Sequence, residues 1–163
     1  MIKGKVPVSW SQQDYQNLTF FTKTKEQHNE SYDLVKGTGH VDDNGVYICN
    51  ENIPDVLTNV GNLFDLEKKI CVVNRMNPGQ VLPFHKDKCL AYIERNKIIN
   101  IKNITRIIVF LHDQKPGHQL WINDKICMGP AGSYFGWNID TEHMAANLGY
   151  EPRYILQITG LSK

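Results

Sequence analysis

Short runs of hydrophobic residues, each ended by turn residues, dominate the chain from residue 70 onward. The runs are rich in β-branched and aromatic side chains, and no helical period interrupts them, so they predict β-strands. Pro-Gly, Asn-Asp and Leu-Gly pairs separate them, as turns do between strands. Eight strands are predicted, over residues 70–76, 81–87, 105–112, 118–122, 126–128, 133–138, 143–147 and 154–159. Short strands without intervening helices favour a β-sandwich or jelly roll over a βαβ fold.

The first 69 residues are more polar and contain two amphipathic stretches. Residues 52–64 predict a helix, because their hydrophobic residues recur at a period near 3.6 and Pro54 suits a first turn. A weaker stripe predicts a second helix with a core-facing side, formed by Trp10, Tyr15, Leu18 and Phe21. The overall expectation is a mainly β protein with one or two N-terminal helices packed on a sheet.

The composition is that of an ordinary globular protein. Of the 163 residues, 41% are hydrophobic and 21% are charged, which suits one domain with a sizeable core. We expect a single domain over residues 1–163, with a supporting segment at 1–69 and a β-core at 70–160. Eighteen basic against 17 acidic residues give a net charge of +1. This balance makes neither nucleic acid nor a membrane an expected partner.

Cysteine spacing and apolar runs predict the compartment. The four cysteines form no close pair, which favours reduced thiols in a cytoplasm over a disulfide framework. The longest apolar run, residues 107–111, is far too short to cross a membrane. The residues after Met1 contain no apolar stretch of the kind found in a secretory signal. The expected location is the cytoplasm.

One histidine and one acid in the predicted strand 81–87 have the spacing of a metal-ligand pair. His85 and Asp87 lie two residues apart, so their side chains point to the same face of a strand. The sequence contains three His-x-acid pairs, and the other two begin at His28, in a polar run, and at His40, among turn residues. Only His85 follows a Pro-Gly turn within an apolar strand. A buried imidazole and carboxylate need partners, and a metal ion is one.

A second candidate histidine opens the predicted strand at 143–147. In this strand His143, Ala145 and Asn147 share one face, and the two small residues of the strand, Ala145 and Ala146, leave room beside the imidazole. His143 would complete, with the pair upstream, the two-histidine, one-carboxylate ligand set of non-heme Fe(II) sites.

Arg153 opens the last apolar strand, directly after the turn that follows His143 and its strand. An arginine directed into a β-barrel needs an anion, and its planar fork matches a carboxylate. Taken singly, Arg153 is more often a surface cation and His143 a plain polar core residue. Their order along the chain is what indicates a site.

This order resembles that of the Fe(II)/2-oxoglutarate-dependent dioxygenases. It runs from a strand through Pro-Gly, His-x-Asp, a long loop and further strands to His-x-x-x-Asn and an arginine that opens the final strand. The chain is most similar to the aspartyl/asparaginyl β-hydroxylase and free-proline hydroxylase branch. The resemblance covers residues 70–160 and is carried by residues 78–87, 105–111, 132 and 143–156. It implies a double-stranded β-helix, which is a jelly roll.

The resemblance also implies roles for the candidate residues. His85, Asp87 and His143 would bind Fe(II), and Arg153 would pair with the distal carboxylate of 2-oxoglutarate, the cosubstrate used together with O2. The implied activity is hydroxylation of an aliphatic C–H bond, in a small molecule or an amino-acid side chain.

Other residues receive roles less directly. Arg106 matches an arginine that often lies near the cosubstrate or substrate. Many relatives carry Ser or Thr two residues after the cosubstrate arginine, where this chain has Ile155, so a hydroxyl of Tyr134 or Tyr92 is expected to replace it. Substrate contacts are expected from Trp137, Asn147 and Tyr92. Three aromatic residues would either wall the site or fill the core, namely Trp121, Phe135 and Trp137.

Two alternative functions stay open. A cupin-like protein with another metal or reaction would recruit His112 or His118 as a further ligand. A non-catalytic binding module would pair Arg153 with an internal acid such as Glu142. The long connection at residues 88–104 predicts either a lid or a surface loop with a short helix. Neither the prime substrate nor the oligomeric state can be read from the sequence.

Overall fold

The computed structural model describes residues 1–22, 47–49 and 51–163, and these residues are mainly β. The strands are β1 (Ile2–Lys5), β2 (Phe21–Thr22), β3 (Tyr47–Cys49), β4 (Leu66–Met76), β5 (Val81–His85), β6 (Ile104–Phe110), β7 (His118–Ile122), β8 (Lys125–Ile126), β9 (Ser133–Asn138), β10 (His143–Asn147) and β11 (Arg153–Ser162). The helices are α1 (Gln13–Gln16), α2 (Asp55–Gly61) and α3 (Leu90–Asn96), and a 3-10 turn covers Ile101–Asn103.

The strands form two antiparallel sheets that face each other. The large sheet has the strand order β1-β9-β6-β11-β4-β3-β2, and the small sheet has the order β5-β10-β7-β8. Strands consecutive in the chain therefore pass repeatedly from one sheet to the other, which is the pattern of a double-stranded β-helix. The predicted jelly roll is confirmed.

Alternation along the central strands of the large sheet builds two apolar layers. Ile107 and Val109 of β6 face the N-terminal segment, where they pack with Leu156 and Ile158 of β11. The intervening side chains of β6 and β11 face the small sheet and form the inter-sheet core with Leu120, Ile122, Cys127, Phe135 and Trp137. The same parity places Arg153, at the start of β11, on the side of the small sheet.

The predicted helix at residues 52–64 is present but shorter, over Asp55–Gly61. Leu57 and Val60 are buried against the large sheet together with Phe64, so α2 packs as predicted. No helix within the described ranges is long and apolar enough to cross a membrane.

The helix predicted from the stripe at residues 10–21 is present but much shorter than the stripe. Only the four residues of α1 are helical, and Phe21 belongs to β2 and is 42% exposed. Trp10 and Tyr15 are nevertheless buried in the core, as predicted. The indole Nε1 of Trp10 donates to the carbonyl of Leu111 at 2.8 Å. This distant contact, rather than a helical period, holds the segment on the sheet.

A Pro-Gly turn between β4 and β5 aligns the candidate site. Gly79 has a φ of +84°, which a residue with a side chain adopts only with strain. Gln80 N–H donates to Asn77 O across the turn at 3.2 Å. Two further bonds, Gly79 N to Asn147 O at 2.7 Å and Asn147 N to Gln80 O at 2.9 Å, tie the turn to the end of β10. The pairing of β5 with β10 is thereby anchored at this turn.

Candidate metal centre

The two candidate histidines lie side by side on neighbouring strands. His85 of β5 is the direct register partner of His143 of β10, and their ring centroids are 4.3 Å apart. A shift in register follows between His143 and Ala145, and Pro83 lies on the opposite strand in this irregular stretch. Proline has no N–H to donate and is tolerated in an edge strand at such a bulge. The irregularity belongs to the local ladder that brings both rings together.

Both imidazoles present the same nitrogen to the site. Nδ1 of His85 contacts Pro83 O at 2.8 Å, and Nδ1 of His143 contacts Thr141 O at 3.0 Å. A carbonyl oxygen only accepts, so each Nδ1 carries a proton, and in the neutral form of each ring the lone pair lies on Nε2. This is the tautomer that a metal ligand requires, fixed by a backbone partner.

Asp87 completes the cluster just beyond the end of β5. Its Oδ1 lies 3.9 Å from Nε2 of His85, and its Oδ2 lies 3.6 Å from Nε2 of His143. The three ligand atoms all lie within 4.8 Å of one another. Burial lowers the pKa of His143 to about 4, so its Nε2 is unprotonated at neutral pH. Two imidazole nitrogens and one carboxylate form a donor set that fits a divalent transition metal.

Arg106 holds the carboxylate in place. Its Nε lies 3.1 Å from Asp87 Oδ2, and its Nη2 donates to Cys89 Sγ at 3.1 Å. Burial opposes the charge of Arg106, but Asp87 and Cys89 outweigh it and raise the pKa. The structure thus gives Arg106 a partner in the metal cluster, whereas the resemblance implied a partner in the cosubstrate.

If the cluster binds Fe(II), as the resemblance implies, Arg106→Leu should weaken that binding about 10–100-fold, the range typical for groups that orient a metal ligand. The affinity of the iron-loaded protein for 2-oxoglutarate should change little. Anaerobic titrations with Fe(II) and then 2-oxoglutarate measure both quantities, and Arg95→Leu, at an exposed position of α3, is the control. Normal Fe(II) affinity with weakened 2-oxoglutarate binding would contradict this role and favour the cosubstrate contact.

A cavity of about 90 Å³ lies beside the cluster, between the two sheets. Arg153 lines the same cavity as His85, Asp87 and His143, and is only 4% exposed. Its Nε is buried without a hydrogen-bond partner, and it forms no ion pair with any described residue, Glu142 included. Burial lowers the pKa of Arg153 to about 10, so the guanidinium is still charged at neutral pH. A buried charge of this kind calls for an anion.

Trp137 is both core residue and cavity wall. It is 3% exposed, and its ring centroid lies 4.8 Å from that of His143. Its Nε1 is buried and has no hydrogen-bond partner in the described part of the chain. The other two aromatic candidates do not line the cavity: Phe135 fills the inter-sheet core, and Trp121 is half-buried, with Nε1 donating to Gln119 Oε1 at 3.2 Å.

Three predicted contact residues lie outside the cavity. Tyr134 packs on the other face of the large sheet, with its ring 5.0 Å from that of Phe64. Tyr92 is buried in α3, where its hydroxyl donates to Lys68 O at 3.0 Å. Neither hydroxyl therefore takes the place expected beside the cosubstrate arginine.

Asn147 is the third of these residues and is fully buried. Its Nδ2 donates to Met76 O at 2.8 Å and to Glu151 O at 2.9 Å, and its Oδ1 accepts from Gly149 N at 3.1 Å. These bonds leave it no place in substrate binding. They hold the turn that leads to Arg153.

The connection at residues 88–104 contains α3 and the 3-10 turn. Tyr92 anchors it in a small apolar cluster with Ile104 and Ile139. The short helix predicted for a surface loop is therefore present. Whether the connection also closes over the site stays a prediction.

His112 and His118, the additional ligands of the cupin-like alternative, are occupied elsewhere. Nδ1 of His112 donates to Asp113 O, and its Nε2 accepts from Tyr154 N at 3.0 Å. His118 donates through Nε2 to Glu151 O at 2.9 Å and accepts from Lys115 N at 3.3 Å. Neither residue lines the cavity. Each ring is a neutral imidazole that links backbone segments.

The free energy of unfolding should fall as the pH drops below about 6.5. Burial lowers the pKa of both His112 and His118. Above pH 7 the two histidines are neutral in both the folded and the unfolded chain, so they do not make the free energy of unfolding depend on pH. Below the unfolded-state pKa the unfolded chain takes up protons first, so acid favours unfolding. The free energy of unfolding can be measured by urea titration at several pH values, with a chelator present. Between pH 5 and 7 it should depend less steeply on pH for His118→Gln, which cannot titrate at this position, than for the wild type. An unchanged pH dependence would count against this explanation.

Among the polar residues that line the cavity, the sequence reasoning missed Asn74 and Gln157. Each is a polar residue with apolar neighbours in its strand, on the face that points to the small sheet. That signal was available from the sequence. Asn74 Nδ2 donates to Gln157 Oε1 at 3.0 Å.

Comparison with known proteins supports the fold. No family model matches the chain, and no curated protein matches it either. Among solved structures, the chain is similar to a prolyl-4-hydroxylase from Pseudomonas putida, with a TM-score of 0.54 and 15% identity over 73% of this chain and 72% of the other.

Two further solved structures match the chain with lower TM-scores. A predicted oxalate decarboxylase from Thermotoga maritima has a TM-score of 0.46 and 15% identity, over 72% of this chain and 81% of the other. The Cnp3 cupin domain of Schizosaccharomyces pombe has a TM-score of 0.46 and 9% identity, over 72% and 61%. At 15% identity the similarity to the prolyl-4-hydroxylase supports the double-stranded β-helix fold and leaves the reaction to the site.

Proposed function

We propose that this protein is an Fe(II)- and 2-oxoglutarate-dependent dioxygenase. It would hydroxylate an aliphatic C–H bond of a small molecule or an amino-acid side chain. One observation carries the proposal: a buried arginine without an acid partner among the described residues shares a cavity with two histidines and one aspartate. A purely structural metal site does not require a buried arginine such as Arg153. A dicarboxylate that chelates the metal through one end does, because its other carboxylate needs a cationic partner.

The two imidazole nitrogens and one carboxylate of the cluster suit Fe(II). Three protein ligands on one side leave coordination positions open, which is the arrangement of Fe(II) oxygenase sites. When bound, the iron would supply the redox chemistry that couples loss of CO2 from 2-oxoglutarate to insertion of an oxygen atom from O2 into the substrate. The second oxygen atom enters succinate.

The chain's own residues then bind, orient and exclude water. Backbone carbonyls hold the two imidazoles with Nε2 free, and Arg106 holds Asp87. Arg153 would hold the far carboxylate of 2-oxoglutarate in a bidentate pair. The small side chain of Ala145 lines the cavity and leaves room for the cosubstrate. Apolar walls keep water from the reacting atoms.

The test is metal loading followed by turnover. The purified protein, stripped with a chelator and reconstituted anaerobically with Fe(II), should bind one iron and then 2-oxoglutarate. On exposure to O2 it should release succinate and CO2, with or without a substrate present. Metal binding without 2-oxoglutarate binding would overturn the proposal and favour the cupin-like alternative, which shares the triad and the fold. Absence of both would favour a non-catalytic module.

A further inference from the structure

A pair of amide side chains lies in the cavity beside Arg153. Asn74 belongs to β4 and Gln157 to β11, and both line the cavity. The register pairs Arg153 with Met76 and Ile155 with Asn74. Asn74 is therefore a diagonal neighbour of Arg153 on one side and of Gln157 on the other, at about 7–8 Å between Cα atoms. The three polar residues form a continuous row on the inner face of the large sheet.

The hydrogen bond between Asn74 and Gln157 leaves one N–H of the Asn74 amide without a partner in the pair. Asn74 Nδ2 donates one of its two hydrogens to Gln157 Oε1. Exchanging oxygen and nitrogen in both amides reverses the bond but still leaves at least one N–H on Asn74. Asn74 makes no other side-chain hydrogen bond with the described residues. This N–H is available to a ligand in the cavity whichever way the amides are placed.

We propose that Asn74 is the second donor to the anion held by Arg153, and that Gln157 positions it. The inference rests on the proposed function, since the anion is the distal carboxylate of 2-oxoglutarate. A carboxylate accepts at about four lone-pair sites, so a guanidinium fork leaves acceptors for another donor. Ile155 offers none, and the hydroxyls of Tyr134 and Tyr92 are elsewhere.

The donor is therefore supplied across the sheet rather than along the strand. Ile155 occupies the position on β11 that follows Arg153 on the same face, and Asn74 is its direct register partner on β4. Its amide lies on the same inner surface as the guanidinium. Gln157 contributes by restraining the amide, so less rotamer freedom is lost when the ligand binds.

The experiment compares two oxo acids on the iron-loaded protein without oxygen. The first is 2-oxoglutarate, and the second is 2-oxopentanoate, which has the same chain length but no distal carboxylate. Asn74→Leu keeps the branched shape and the number of side-chain heavy atoms and removes the donor. Its Kd for 2-oxoglutarate should rise about tenfold or more, as for hydrogen bonds to charged groups. Its Kd for 2-oxopentanoate and its Fe(II) affinity should stay at the wild-type values.

Further variants make the result specific. Asn74→Asp places a like charge beside the carboxylate and should weaken 2-oxoglutarate binding more than Asn74→Leu, which also covers the case that the leucine variant folds poorly. Gln157→Leu should act in the same direction to a smaller extent, again without effect on 2-oxopentanoate. Gln119→Leu removes an amide that does not line the cavity and should change neither affinity.

The outcomes separate this inference from the function on which it rests. If Asn74→Leu binds 2-oxoglutarate as the wild type does, or loses both oxo acids equally, the role of Asn74 is overturned while the oxygenase assignment stands. If the wild type binds no 2-oxoglutarate, both are overturned.

Discussion

Arg153→Ala should bind 2-oxoglutarate far more weakly than the wild type, with no change in Fe(II) affinity. The desolvated carboxylate would lose its charged partner, a loss of about 2–5 kcal/mol in buried pairs, or more than tenfold in Kd. Arg153→Lys keeps the charge but loses the planar fork, so its affinity should lie between the two. Anaerobic titration of the iron-loaded proteins measures these affinities.

Arg75→Ala is the matched control for this experiment. Arg75 belongs to the same sheet, but its guanidinium lies over the ring of Phe20, 4.8 Å from the ring centroid, and it does not line the cavity. Its affinity for 2-oxoglutarate should equal that of the wild type. Equal binding by the wild type and both Arg153 variants would end the oxygenase proposal even with iron in place.

His143→Ala should abolish tight Fe(II) binding. The variant keeps His85 and Asp87 but loses the ligand that faces both of them. The effect should exceed the 10–100-fold loss typical of residues that only orient a ligand, and 2-oxoglutarate turnover should disappear with the metal. Anaerobic Fe(II) titration and metal analysis of the purified variant measure this.

His28→Ala and His40→Ala are the sequence-matched controls. Each begins one of the other two His-x-acid pairs, and both lie outside the described residues. They should bind iron as the wild type does. Retention of stoichiometric iron by His143→Ala, or its loss from either control, would show that the cluster is not the metal site.

The sequence predicted the strands because they are rich in β-branched and aromatic residues and turn residues mark their ends. In β6 and β11 most side chains of both faces are buried, so no alternation of apolar and polar residues marks these strands. The two-residue spacing predicted that His85 and Asp87 lie on one side, and they do, although Asp87 follows the end of β5. Strand pairing was not visible, since no single strand reveals its neighbour. The direct pairing of His85 with His143 therefore came only from the structure.

Tyr134 and Tyr92 are two residues whose positions relative to the cavity were predicted incorrectly from the sequence. Tyr134 and Trp137 are three positions apart in β9, so they point to opposite faces, and only Trp137 reaches the cavity. That parity was readable, but the need for a hydroxyl drew attention to Tyr134. Tyr92 lies in a helix, and its partner Lys68 is 24 residues away. Asn74 was not predicted, because the role proposed for it depends on Arg153 and Gln157 in the neighbouring strand β11.

The position of β5 has a consequence for the behaviour of the protein without metal. Among the described strands β5 lies at the edge of the small sheet and pairs with β10 alone, and it carries Pro83, which cannot donate to the ladder. A metal shared by His85 and His143 would cross-link these strands, so part of its binding free energy would become stability of the sheet edge. Metal loss would then release β5 before the rest of the sheet. Iron would then stabilise the pairing of β5 with β10 as well as take part in the reaction, and the geometry of the empty site would differ from that of the occupied one.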